Sequence, residues 1–135
     1  AFVLQQNGHD RQYLSEARFA FELGALEFAI RRIDDGSIGE IERIVDRMSK
    51  SDTTDELLAA DRDFHKCIIE ISDNPILIEF GNLIDDFFHV VPIKTAVKPV
   101  GVMVEEHTAI VNALRNRDLY TARKLIQVGI DDLGN

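Results

Sequence analysis

Asp61 and His65 stand four residues apart in the stretch "LLAADRDFHKCIIEIS", Leu57 to Ser72. At about 100° per residue, the helical face carrying Leu57, Phe64 and Ile68 also carries this carboxylate and this imidazole at its centre. Arg62, Asp63 and Lys66 point elsewhere. Further along, His107 falls in the middle of the apolar arc Met103, Val104, Ile110, Val111 and Leu114, while Glu105 and Glu106 point away. A carboxylate and two imidazoles on buried faces suit two kinds of chemistry. They can satisfy one another as a hydrogen-bonded core cluster, or they can ligate a metal ion, which needs ligands from more than one helix. In either case Asp61 requires a cationic partner, a proton or a metal, because an uncompensated buried carboxylate costs several kcal/mol against a domain stability of about 5–15 kcal/mol.

A third polar group lies on the first helix, where Arg18 falls among Leu14, Phe21, Ala25 and Phe28, with Glu22 one turn further on. An i, i+4 Arg18–Glu22 pair at a partly solvated edge is one reading. The other is a guanidinium held in a cavity, suited to gripping a ligand carboxylate through two parallel hydrogen bonds. His89, after Phe87 and Phe88, reads as a rim or core residue, and Cys67 as small packing. The phenylalanines, Phe80 among them, read as core rather than as a stacking platform, since no basic residues are interleaved with them.

The elements that must position these groups are helices. Only 3 prolines and 8 glycines interrupt 135 residues, and nearly every long segment follows the helical period. The first helix is expected from about Tyr13 to Ile33, stopped by Asp34 to Gly36. Ser37 with Glu40, and Thr53 with Glu56, form capping-box patterns that open the second helix (to about Ser49) and the third. Asn74 before Pro75 supplies an N-cap for a fourth, ending near Pro92. "IKTAVKPVG" reads as a loop or broken helix, a fifth helix covers about Met103 to Arg115, and Asp118 caps a sixth that reaches Leu133. Short connections favour antiparallel neighbours, so the fold class is all-α: a compact antiparallel bundle of about six helices. Residues 1–12 read as a linker preceded by the tail of a β-strand at Ala1 to Leu4. Within them His9-Asp10 is a dipeptide of metal-hydrolase type, but in a linker without a rigid shell.

Composition narrows the function. With 45% hydrophobic residues the chain can build a core, and with 24 acidic against 15 basic residues its net charge is −9. Phosphate backbones and anionic membrane surfaces repel such a domain, so it should not grip DNA by itself. One cysteine rules out an intrachain disulfide framework and fits a reducing, cytoplasmic setting. No apolar run approaches the roughly 18–20 residues that span a bilayer, and no signal-peptide layout is seen. A start at Ala1 reads as a piece of something longer.

Three motifs carry a family resemblance. "D-x-x-F-H-x-x-I-x-x-x-S-x-N-x-x-L", from Asp61 through Phe64, His65, Ile68, Ser72 and Asn74 to Leu77, resembles the signature of the FCD domain, the FadR-type C-terminal domain of GntR-family bacterial transcription regulators. Glu106, His107, Ile110, Ala113, Leu114, Asp118 and Ala122 are similar to that family's E-H motif, and Arg18, Phe21 and Glu22 to its opening R-x-x-L-E helix. The resemblance spans about Ser15 to Leu133. It implies an effector-binding and dimerisation domain, residues 13–135, normally preceded by a winged helix-turn-helix that reads DNA, of which Ala1 to Val3 would be the tail. It implies a homodimer with an effector; the Arg18 guanidinium makes a small organic acid the expected one, and the candidate ligand-binding positions are Arg18, Glu22, Asp61, His65, Asn74, His107 and Gly129. Many members of the family hold a divalent metal through an aspartate and three histidines. Asp61, His65 and His107 match the first three, while Gly129 stands where the fourth would be. Three ligands with open positions still suit zinc or nickel, and mixed imidazole and carboxylate argues against calcium.

Three functions compete on this reading. One is a sensor of carboxylate metabolites, with Arg18 and either a metal or the His65–His107 pair holding the guest. Another is a dimerisation module whose polar interior is only structural. The third, a metal-dependent hydrolase, lacks a second acid or base at useful spacing and any H-E-x-x-H or E-x-x-H pattern, so the chain reads as a non-enzyme.

Overall fold

The computed structural model describes residues 8–90 and 98–133, and side chains within 12–87 and 98–129. Among them run six helices and no strand: α1 (Gly8–Arg32), α2 (Asp35–Ser49), α3 (Thr54–Ile71), α4 (Pro75–Val90), α5 (Val100–Arg115) and α6 (Leu119–Leu133). The strand-like Ala1 to Leu4 and most of the loop after Pro92 lie outside the described residues, as does the side chain of His89.

Local chemistry sets the helix ends. Thr53 accepts from the Glu56 amide at 3.1 Å, and the Glu56 carboxylate reaches back to the Asp52 amide at 2.8 Å, so the box closes one residue early. Asn74 Oδ1 accepts from the amides of Ile76 and Leu77, and Asp118 accepts from the amide and hydroxyl of Thr121. The start of α2 differs from expectation. Asp34, in extended backbone, is the N-cap, and Ser37 donates to it from both amide and hydroxyl. A carboxylate accepts only, so with Asp34 available Ser37 becomes a donor in the first turn and the helix begins three residues sooner. Likewise α1 reaches back to Gly8 through what reads as linker, with Gln12 bonded to Glu16 one turn on. α5 begins at Val100 without a side-chain cap. There packing overrides the missing cap, since Val100, Met103 and Val104 close over Met48, Leu57 and Ala60.

Helix α3 packs on α1 and α2, α2 on α5, α5 on α6, and α6 on α1, which closes a ring of five helices; α4 joins through α1 and α3. Leu26, Ile30, Ile41, Phe64, Ile68, Leu114 and Ile126 fill the ring. Two guanidiniums secure the closing end of α1. Arg117, at φ +54, donates to the carbonyls of Ile30, Arg31 and Ile33, and Arg32 donates to the Ser72 carbonyl, satisfying carbonyls that a helix end leaves orphaned. α1, α3 and α5 thus meet across the ring through side chains.

Candidate metal and effector site

Where those three helices meet, four ionisable side chains form a chain. Glu22 from α1 approaches His65 Nδ1 with Oε1 at 2.5 Å. His65 Nε2 lies 3.3 Å from Asp61 Oδ1, and His107 Nε2 lies 2.7 Å from the same oxygen. His107 Nδ1 closes the chain on the Met103 carbonyl at 2.6 Å, and since a carbonyl only accepts, that nitrogen carries the proton. The side chains are 1% (Glu22), 7% (His107), 14% (Asp61) and 15% (His65) exposed. Phe64, fully buried, sets its ring edge-on to His107 at 4.6 Å and to His65 at 5.5 Å, an apolar wall that keeps the imidazoles in place.

Burial alone would raise the Asp61 carboxyl and lower His65, but the charges oppose it. Burial of Asp61 is outweighed by the His65 charge and by bonds from His107 and His65, which hold the carboxyl far below the usual range. Burial of His65 is outweighed by the Glu22 and Asp61 carboxylates, which raise it to about 9. The cluster therefore favours cations.

A divalent metal fits this donor set. One ligand atom each from Asp61, His65 and His107 lies within 4.8 Å of the others, and two nitrogens with one oxygen match zinc or nickel. The two carboxylates of the cluster would balance a charge of +2. Without a metal, His65 and His107 both bond Asp61 Oδ1 and His65 bonds Glu22 Oε1, while Glu22 Oε2 has no hydrogen-bond partner among the described residues.

His65 also belongs to a cleft between α1, α3 and α4. It is lined by Arg18, Arg62 and Lys66 and by Glu70 and Asp85, beside Phe21, Ile69, Ile78 and Ile84. The bare backbone of Gly81 lets α4 approach, since a Cβ there would stand 3.2 Å from Ile69. Arg18 is half-buried and lines this cleft. Glu22 does not sit at a solvated edge, being 0% exposed and paired with His65. The true inner arc of α1 runs through Glu22, Ala25, Leu26, Ala29 and Ile33, and the i, i+3, i+4, i+7 spacing from Glu22 is the signal that would have found it. Asn74 is spent as the cap of α4 and does not line the cleft. Gly129 is half-buried, and a Cβ built on it meets no atom within 4 Å. Cys67 is packing, its thiol pushed up to about 12 by burial and nearby carboxylates. Phe80 and Phe28 are not core residues: they are 54% and 38% exposed, Phe28 lying under the guanidiniums of Arg31 and Arg32.

The FCD domain family model matches residues 13–132. The chain is 28% identical over 107 residues to the HTH-type transcriptional regulator YcbG of Bacillus subtilis (strain 168), covering 79% of this chain and 46% of that one. It is 24% identical over 127 residues to the HTH-type transcriptional repressor NanR of Cronobacter sakazakii, covering 90% and 48%. The chain thus spans about half the length of the curated relatives it matches. Among solved structures, E. coli McbR/YncC superposes with a TM-score of 0.73 at 18% identity, over 97% of this chain and 71% of that one. Streptococcus agalactiae GntR gives 0.73 at 20%, over 90% and 56%. At such identities the structures speak for the fold alone, an all-α one. The curated relatives are regulators rather than enzymes, which removes the hydrolase reading. A family match over nearly the whole described chain assigns it to the FCD-domain family of GntR-type transcription regulators.

Proposed function

We propose that this domain senses a small organic acid, with a divalent metal, zinc or nickel, held by Asp61, His65 and His107, and relays the event as a homodimer to a DNA-binding domain elsewhere in a cytoplasmic regulator. The observation that carries this reading is the shared histidine. His65 belongs both to the cleft that Arg18 lines and to the cluster of Asp61 and His107, so a carboxylate held by Arg18 would share its cleft with one of the metal's ligands. Arg62 and Lys66 add positive charge to the cleft of a domain whose net charge is −9, and the apolar wall accepts a short carbon skeleton. The HTH-type relatives are about twice as long as the match, which supports a separate DNA reader. No helix among the described residues is long and apolar enough to cross a membrane. For the dimer seam, α4 offers Ile76, Phe80 and Leu83 at 67%, 54% and 50% exposure. Their spacing of four and three gives one apolar stripe, which two copies can share about a twofold axis. Sedimentation as a monomer at every concentration would remove that part.

Protein purified without a metal-affinity tag should carry close to one zinc or nickel per chain by elemental analysis. A panel of organic acids should include one that raises the melting temperature, and ligand at about 100 times its Kd adds about 2.7 kcal/mol. Arg18→Ala should abolish that rise, while Gly129→His should tighten metal binding about tenfold or more by supplying a fourth ligand. A second reading, a structural module with a polar interior, is favoured by the metal-free hydrogen-bond chain from Glu22 to Met103. An empty site together with no acid response would select it.

A further inference from the structure

Glu22 is the most deeply buried member of the cluster, yet it touches none of the converging ligand atoms. Its Oε1 meets His65 on Nδ1, the ring nitrogen opposite the one that faces Asp61. Its Oε2 is buried and has no hydrogen-bond partner among the described residues. A carboxylate sealed from water with one bond is costly to keep, so its place depends on what that bond does. An ionised carboxylate only accepts, so the proton between them sits on His65 Nδ1, and when the ring gives up its second proton it is the Nε2 lone pair that becomes available to a ligand. The other histidine repeats the arrangement: the Met103 carbonyl holds His107 Nδ1, and Nε2 again faces Asp61 Oδ1. Two imidazoles from different helices are thus turned the same way by acceptors behind them.

We infer that Glu22 is a positioning residue for the cation site: by holding the Nδ1 proton of His65 it fixes the ring's tautomer and aims Nε2 at the point shared by Asp61 and His107. The inference rests on the metal reading above, and it adds a second negative charge behind the ligands, so that a divalent ion leaves the buried site neutral. Partners of this kind raise the basicity of a ligating imidazole and fix its orientation, and their loss typically weakens metal binding about 10- to 100-fold.

The test compares the unsubstituted domain with Glu22→Ala and Glu22→Gln by chelator competition for Zn2+ and by 15N NMR of the imidazoles. Glu22→Ala should weaken zinc binding about 10- to 100-fold, and Glu22→Gln, which keeps an acceptor oxygen, by less than about tenfold. In metal-free unsubstituted protein, at a pH where the ring's own NMR shifts show it to be neutral, the tautomer of His65 should be Nδ1–H. An Nε2–H tautomer there overturns the inference. So do two variants that bind zinc within about threefold of the unsubstituted protein, or two variants equally weakened with the Nδ1–H tautomer intact. If Glu22→Ala does not fold, Glu22→Gln and the tautomer decide. If the unsubstituted protein binds no zinc, the metal reading fails, and the tautomer still tells whether Glu22 orients the ring.

Discussion

Asp61 and Asp63 are the same residue two positions apart on α3, and both pair with cationic groups, yet they live in different media. Asp61 is 14% exposed between His65 and His107, while Asp63 is 51% exposed and meets Arg47, itself 54% exposed. The inner aspartate cannot turn to water if its partners are lost. The outer one can, and its attraction to Arg47 is screened as it forms. The contrast teaches that position relative to the ring, and not the presence of a partner, decides how much each carboxylate matters. Because the inner partners are ionisable imidazoles, that side also responds to protons and metals.

The largest expected effect follows from removing the inner charge. In EDTA-treated protein, Asp61→Asn leaves His65 and His107 facing an amide and Glu22 as the remaining counter-charge, and should lower unfolding stability by about 3 kcal/mol. Urea denaturation at neutral pH measures it. A loss below about 1 kcal/mol would place Asp61 in the same class as a surface pair and erase the comparison.

Titration gives the next effect. His65 is raised from its ordinary value to about 9, so the folded state binds its proton more tightly than the unfolded state does. The resulting stability is fully present below about pH 6.5 and is lost as pH rises through 9. Between about pH 6 and pH 10 the metal-free domain should lose about 2–3 kcal/mol, read from urea midpoints across that range. Part of this is the same His65–Asp61 attraction that Asp61→Asn removes, so the two losses should not add, and Asp61→Asn should flatten the pH dependence. Full additivity would mean that the two groups act independently.

The inner side of α3 was legible because α3 and α5 have one apolar arc each, so a polar residue in the arc stands out. Asp61, His65 and His107 are found that way, and the caps at Thr53, Asn74 and Asp118 follow from their residue types. α1 was harder to read. Phe21 and Phe28, seven residues apart, draw the apolar arc to one side of the buried one while Phe19 lies on its other side, so the expected arc is rotated and Glu22 reads as an edge residue although it is 0% exposed. The α4 stripe was hidden for a related reason: Ile76, Phe80 and Leu83 look like core residues until the ring of five helices is seen to close largely without them. Helix periodicity says which residues share a face, and only packing says which face is inside.

The smallest effect belongs to the outer aspartate and is the sharper control for that reason. Asp63→Asn removes a carboxylate that pairs with Arg47 of α2, leaves every inner contact in place, and also reduces a net charge of −9 by one. The lost pair destabilises by about 0.2–1 kcal/mol, while the relief of general acidic repulsion acts in the opposite direction. The net change should stay within about 0.5 kcal/mol at low salt and shrink as ionic strength rises, because the Debye length falls from about 10 Å at 0.1 M to about 3 Å at 1 M. The Asp61→Asn loss should keep most of its size over the same salt series, since its partners are shielded from ions. Parallel urea titrations at both salt concentrations decide the matter, and an Asp61→Asn effect that salt removes as readily as that of Asp63→Asn would mean that water reaches the cluster freely.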